Sequence, residues 1–95
     1  MVDDDTKVFI GRKKTMNYVM AAMMNLDAGK SCVIMARGRT ISRAVDVAEI
    51  LINKFAQGAS YGDIKIYTEE LSNEDGTKSN VSSMEIEIKP PKSKK

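Results

Sequence analysis

The spacing of apolar positions shifts repeatedly along the chain, and each shift predicts an element. Val8, Phe9 and Ile10 form a short apolar run, Lys7 to Ile10, that stops at Gly11 and predicts a first strand. Met16, Val19, Met20 and Met23 recur at i, i+3, i+4 and i+7, the spacing of one helical face, while Ala21, Ala22 and Met24 favour helix between them. Thr15 is placed to cap this helix, and Asp27-Ala28-Gly29 ends it, with glycine in the left-handed position after the last turn. Cys32 to Ala36 is apolar without interruption, the pattern of a central strand covered on both faces. Thr40, closing the polar loop Arg37-Gly38-Arg39-Thr40, is placed to cap a second helix. Its apolar positions are Ile41, Ala44, Val45, Ala48, Ile52 and Phe55, and it closes at Gln57-Gly58.

From Asp63 the period becomes two. Ile64 and Ile66 alternate with Lys65 and Tyr67, which predicts a strand with one wet face. A turn falls over Ser72-Asn73-Glu74-Asp75-Gly76, where Asp75-Gly76 suits positive φ. On the return strand Met84, Ile86 and Ile88 alternate with Ser83, Glu85 and Glu87. Val81 has the opposite parity, so a bulge is expected near Ser82. Pro90-Pro91 stops pairing. The order β-α-β-α-β-β gives an α/β two-layer sandwich: a mixed four-stranded sheet with both helices on one face. The expected division is an acidic N-terminal segment at 1–6, a single domain at 7–89 and a basic, flexible tail at 90–95.

Composition narrows the function. Ninety-five residues support one core. The longest apolar run, Val19 to Met24, falls far short of the ~20 residues that cross a bilayer. The start Met1-Val2-Asp3-Asp4-Asp5 lacks the basic and apolar stretches of a signal peptide, so the expected location is the cytoplasm. There is no histidine and one cysteine, Cys32, which removes the usual general base and the usual zinc sites. The expectation is therefore a protein without catalysis, metal, cofactor or small-molecule substrate.

The net charge of +2 hides a strong division. Residues 7–43 carry eight bases against Asp27 alone, whereas residues 44–88 carry nine acids against three bases. Gly11-Arg12-Lys13-Lys14-Thr15 and Ala36-Arg37-Gly38-Arg39-Thr40-Ile41-Ser42 are both strand-to-helix loops, and in a β-α-β unit such loops emerge at the same end of the sheet. Two helix N-termini and their cationic side chains then converge, which suits a polyanion.

Other candidates have simpler explanations. The first loop lacks the second glycine of a nucleotide phosphate loop. Asp46 and Glu49 fit a solvated helix face, with Asp46 able to pair with Arg43. Cys32 fits an inert buried thiol, and the methionines fit packing. Phe9 and Phe55 read as core or interface. Tyr18 and Tyr67 are read either as surface residues or as groups that touch a nucleic acid.

Ile10-Gly11-Arg12-Lys13-Lys14-Thr15-Met16-Asn17-Tyr18 together with Ala36-Arg37-Gly38-Arg39-Thr40-Ile41-Ser42-Arg43-Ala44-Val45-Asp46 resembles the Alba family of archaeal nucleic-acid-binding chromatin proteins, and the resemblance runs along nearly the whole chain. It implies a homodimer associated with the nucleoid that binds double-stranded DNA, and also RNA, without catalysis. The family's basic pair falls on Arg12 and Lys13, its Asn-Tyr on Asn17 and Tyr18, and its Arg-Gly-Arg on Arg37 and Arg39. Its minor-groove hairpin corresponds to Ser72 through Asn80, and Phe55 matches a hydrophobic position used between dimers. Lys14, Arg43 and the hairpin's Lys78 complete the expected nucleic-acid-binding set. The chain departs from the family pattern in having Arg12 where a lysine is usual, Glu74 and Asp75 at the hairpin tip, and Asp3-Asp4-Asp5 at the start. The alternative is an RNA-binding protein, an RNA chaperone or a ribonucleoprotein subunit, in which Tyr18 and the Arg-Gly-Arg loop read single strands or RNA shape.

Overall fold

A computed structural model describes residues 6–91. The acidic triplet at 3–5 and the lysines at 92, 94 and 95 lie outside the described residues. The elements run β1 (Lys7–Phe9), α1 (Thr15–Asp27), β2 (Cys32–Arg37), α2 (Ile41–Ile50), β3 (Ser60–Ser72) and β4 (Lys78–Lys89). A 3-10 turn, Gly38–Thr40, leads into α2, and a π-helical segment, Leu51–Phe55, follows it.

The sheet order is β1-β2-β4-β3, parallel between β1 and β2 and antiparallel elsewhere. Both helices cover one face. Val8, Cys32, Ile34, Ile86 and Ile88 point there and meet Val19, Ala22 and Leu26 of α1 and Ala44, Val47 and Ala48 of α2. The expected mixed sheet with two helices on one face is thus present. Cys32 is fully buried, and burial pushes its thiol up to about 11, so at neutral pH it stays protonated.

Several local expectations fail for identifiable reasons. On α1 the buried side chains are Tyr18, Val19, Ala22 and Leu26, while Met16, Met20 and Met24 are exposed. The small Ala22 lets α1 approach the sheet closely; Met16, Met20 and Met24 turn outward, while Met23, like Val19 on the predicted face, packs against the core. On α2 the sheet-facing residues include Val47, and Val45 is exposed. Thr15 is the first residue of α1 and not its cap; Thr40 holds the N-cap position of α2 but makes no side-chain capping bond, since its hydroxyl bonds back to Arg37, accepting its N–H and donating to its carbonyl. Ile64 and Ile66 lie on the helix side of β3, yet they are 52% and 72% exposed: α2 meets this edge strand at its start, where the Tyr61 hydroxyl donates to Glu49, and leaves the two isoleucines uncovered.

The irregularity in the hairpin also sits elsewhere. Pairing is continuous at Ser82, and the extra residue falls between Tyr61 and Ile64. There Gly62 lies so close to Glu87 that an added Cβ would come within 2.3 Å of its carboxylate, while the Asp63 N–H donates to the same group at 3.0 Å. Val81 sits on the helix-free face, beside Gly38. Asn73–Gly76 forms the expected turn, with Gly76 at φ 88. β4 pairs with β2 only from Ser83 to Ile88, so Thr68–Ser72 and Lys78–Ser82 continue beyond the sheet as a two-stranded arm. This arm makes the longest dimension 55 Å and the radius of gyration 14.3 Å, against about 12 Å for a compact domain of this length. No helix among the described residues is long and apolar enough to cross a membrane.

Candidate nucleic-acid interface

Because β1 and β2 are parallel neighbours, the loops that leave them meet at one end of the sheet. Arg12 of the first loop, Arg39 of the second and Arg43 of α2 line one open groove of about 460 Å³, with Gly11, Thr40, Ser42 and Asp46 completing its wall. Lys13, Lys14 and Asn17 are exposed on the rim of the first loop and the first turn of α1.

Two side chains hold the first loop in shape. The buried Tyr18 hydroxyl accepts the backbone N–H groups of Gly11 and Lys13, each at 2.8 Å. From the other side the Arg43 guanidinium donates through Nη1 to the carbonyls of Lys13 at 2.9 Å and Gly11 at 3.2 Å. Donors and acceptors of one short loop are therefore both satisfied by side chains from the two helices. The backbone stays fixed while Arg12, Lys13 and Lys14 remain free to meet a ligand.

These contacts revise the sequence expectations. Tyr18 is only 7% exposed and organises the loop, so it presents no surface on which a base could stack. Arg43 is committed to the loop carbonyls and forms no ion pair with Asp46 among the described residues. Arg37 does not join the groove at all. Strand alternation points it to the helix-free face, where Nε meets Glu69 Oε1 at 2.8 Å and Nη2 meets Oε2 at 3.3 Å. Ser83, itself buried, donates to the same Glu69 oxygen at 2.5 Å. The hydrogen bond from Arg37 and that from Ser83 lower the Glu69 pKa, and the bond to Glu69 raises that of Arg37. The partnership of Arg37 with Glu69 was missed by the sequence reading, although the alternation Val33, Met35, Arg37 on one face of β2 signals where Arg37 must point.

On the hairpin Lys78 stands 3.6 Å from Glu70, which offsets its charge. Asp75 accepts the Thr77 N–H at 3.0 Å and its hydroxyl at 2.6 Å, so this acid builds the turn. Those bonds to Thr77 also lower its pKa. Phe55 is 42% exposed at the end of the π segment. No cluster of three or more histidine, cysteine or acidic side chains that could hold a metal occurs among the described residues.

Fold and site together define a small two-layer α/β domain that presents a cationic groove at the end of two parallel strands and a projecting β-arm. The sequence model of one family, Alba, matches residues 6–68, and the chain belongs to that family. It is 48% identical over 90 residues to the DNA/RNA-binding protein Alba of Methanocella arvoryzae, covering 94% of each chain. It is 51% identical over 87 residues to the DNA/RNA-binding protein Alba of Thermoplasma acidophilum, covering 90% of this chain and 96% of that one. Among solved structures it resembles Alba from Thermoplasma volcanium with a TM-score of 0.81 and 48% identity, over 87% of this chain and 98% of the other.

Proposed function

We propose that this chain is a non-catalytic nucleic-acid-binding protein that engages double-stranded DNA as a homodimer, with Arg12, Lys13, Lys14 and Arg39 meeting phosphates and Asn17 at the rim. The observation that carries the reading is the convergence of Arg12, Arg39 and Arg43 in one groove, with the first loop locked between Tyr18 and Arg43. A fixed loop presents its cations without a further ordering cost, and Arg43 adds its charge from beneath. The names of the relatives support nucleic acid as the polyanion. Arg37, paired with Glu69, contributes less charge to phosphate binding than its place in the Arg-Gly-Arg loop suggests. Lys78, paired with Glu70, is likewise a weak contributor from the arm.

The homodimer is supported by the uncovered apolar residues at the edge of the sheet and on the second helical region. Ile64, Ile66 and Val45 are all more than 40% exposed. A second copy that covered them would remove this apolar area from water. A further contact through Phe55 between dimers, and residence on the chromosome in the cytoplasm, belong to the same reading.

Titration of one labelled duplex DNA against one structured RNA at matched salt tests it. Tighter binding of the duplex, with a steep loss of affinity as salt rises, is the expected result. Preference for the RNA would transfer the reading to an RNA-binding protein, and salt-independent binding would remove the role of the cations.

A further inference from the structure

The helix-free face of the sheet carries a second cavity, of about 440 Å³, lined on this face by Phe9, Met35, Arg37, Tyr67, Glu69 and Ser83. Its size falls within the ~300–1,000 Å³ typical of small-ligand sites. Phe9 is 65% exposed although it sits within β1, beside Met35 of β2. The polar wall is preset. Glu69 Oε1 is occupied by Arg37 Nε and by the hydroxyl of Ser83, and Oε2 by Arg37 Nη2. The carboxylate is thus spent on orienting the guanidinium, whose Nη1 edge remains available as a donor. Tyr67 forms another part of the wall, its hydroxyl tied to Glu85 at 2.6 Å.

We infer that this cavity is a binding site for an unpaired nucleobase of a single-stranded nucleic acid, with Phe9 as the stacking surface and Arg37, held by Glu69 and Ser83, as the hydrogen-bond donor to the base's acceptors. The ligand must offer a flat π face and in-plane acceptors, and a nucleobase offers both. It must be unpaired and unstacked, because in a duplex both faces of each base are covered by its neighbours. Phe9 and Tyr67 lie on opposite edge strands, about three strand spacings or 14 Å apart. They therefore cannot clamp one base between them, and Phe9 alone supplies the stack. Thr40 lines both this cavity and the cationic groove, so a strand whose backbone leaves the groove passes directly into the cavity.

The inference rests on nucleic acid being the ligand of the cationic groove, and the experiment separates the two. Fluorescence anisotropy compares a labelled 20-nucleotide single-stranded DNA, the RNA of the same sequence and the corresponding DNA duplex, at one salt concentration, for the unaltered protein, Phe9→Ala and Phe9→Tyr. Phe9→Ala is expected to weaken binding of both single strands about tenfold, alike for DNA and RNA because the stack meets only the base. Phe9→Tyr is expected to retain that affinity, and the duplex affinity is expected to stay unchanged in both variants. Unchanged single-strand binding by Phe9→Ala, or failure of the unaltered protein to bind single strands, overturns the site. So does an equal loss for all three ligands. A lower sedimentation mass for Phe9→Ala also overturns it, by assigning this face to a second copy of the chain. Failure of the unaltered protein to bind the duplex contradicts the earlier reading alone.

Discussion

The hydroxyl of Tyr18 accepts the backbone N–H of Lys13 at 2.8 Å from a position one helical turn inside α1, which makes a buried side chain the anchor of an exposed cationic loop. The same oxygen accepts the N–H of Gly11. Removing it strands two backbone donors while leaving the ring in the core. Tyr18→Phe is therefore expected to cost about 1–3 kcal/mol of stability in denaturant unfolding, and to weaken duplex binding by loosening the loop. Unaltered stability would show that water replaces the hydroxyl without loss.

Arg12→Ala and Arg39→Ala are each expected to weaken duplex binding and to flatten the slope of log K against log salt by about 0.9, one phosphate contact apiece. Arg37→Ala is expected to change that slope less, because Glu69 already offsets its charge. Binding isotherms over a salt series decide this, and equal slopes for all three variants would contradict the division of roles.

Glu69 provides a pH test. Its folded pKa lies below the ordinary carboxylate value because Arg37 and Ser83 bond to the ionised form. A group depressed in this way stabilises the fold at pH above its unfolded value and loses that contribution as pH falls through its folded value. Carboxyl NMR should place the Glu69 midpoint below the ordinary carboxylate range and show it rising in Arg37→Ala. An unmoved midpoint would mean that the ion pair is not maintained in solution.

The hairpin tip is tested by Glu74→Lys alone, since replacing Asp75 would dismantle the turn it builds with Thr77. If the arm follows the duplex, removing a negative charge and adding a positive one there should tighten binding to random duplex several-fold at low salt, with the gain fading as salt rises. Unchanged affinity would place the tip away from the phosphates.

Ile66→Asp is expected to lower the sedimentation mass at micromolar concentration from about twice 10.5 kDa to the mass of one chain, because a charge would then sit on the apolar edge proposed to be covered by the partner. A dimer that persists would move the subunit contact elsewhere.

The element order, the buried β2 and the meeting of two basic loops were legible because they follow from short-range patterns and the geometry of parallel strands. The phase of α1 was not. Hydropathy favours Met16 and Met20, but packing against the sheet selects Ala22 and Tyr18, a small residue and an aromatic whose hydroxyl has backbone partners. The exposure of Ile64 and Ile66 was also hidden, since alternation reveals which side of a strand a residue takes but not whether a helix reaches that far. Arg37 could have been placed by strand parity, whereas its pairing with Glu69 depends on a contact 32 positions away in the chain.

The π segment has a consequence for Phe55. Continued as a regular α-helix, the series Ala44, Ala48, Leu51, Phe55 would keep one side, and the aromatic ring would turn toward the sheet. Instead the Ala56 N–H bonds to the carbonyl of Leu51, five residues back, at 2.7 Å, and the wider turn carries the ring round to the surface. The segment is in effect one residue too long for its helix. A single-residue deletion between 51 and 55 would shorten the interval from Leu51 to Phe55 from four residues to three and move the ring about 100° round the helix axis without changing any side chain's chemistry. The surface character of this phenylalanine is thus encoded as a count along the backbone, and it is as sensitive to the chain's length at that point as to the identity of the residue.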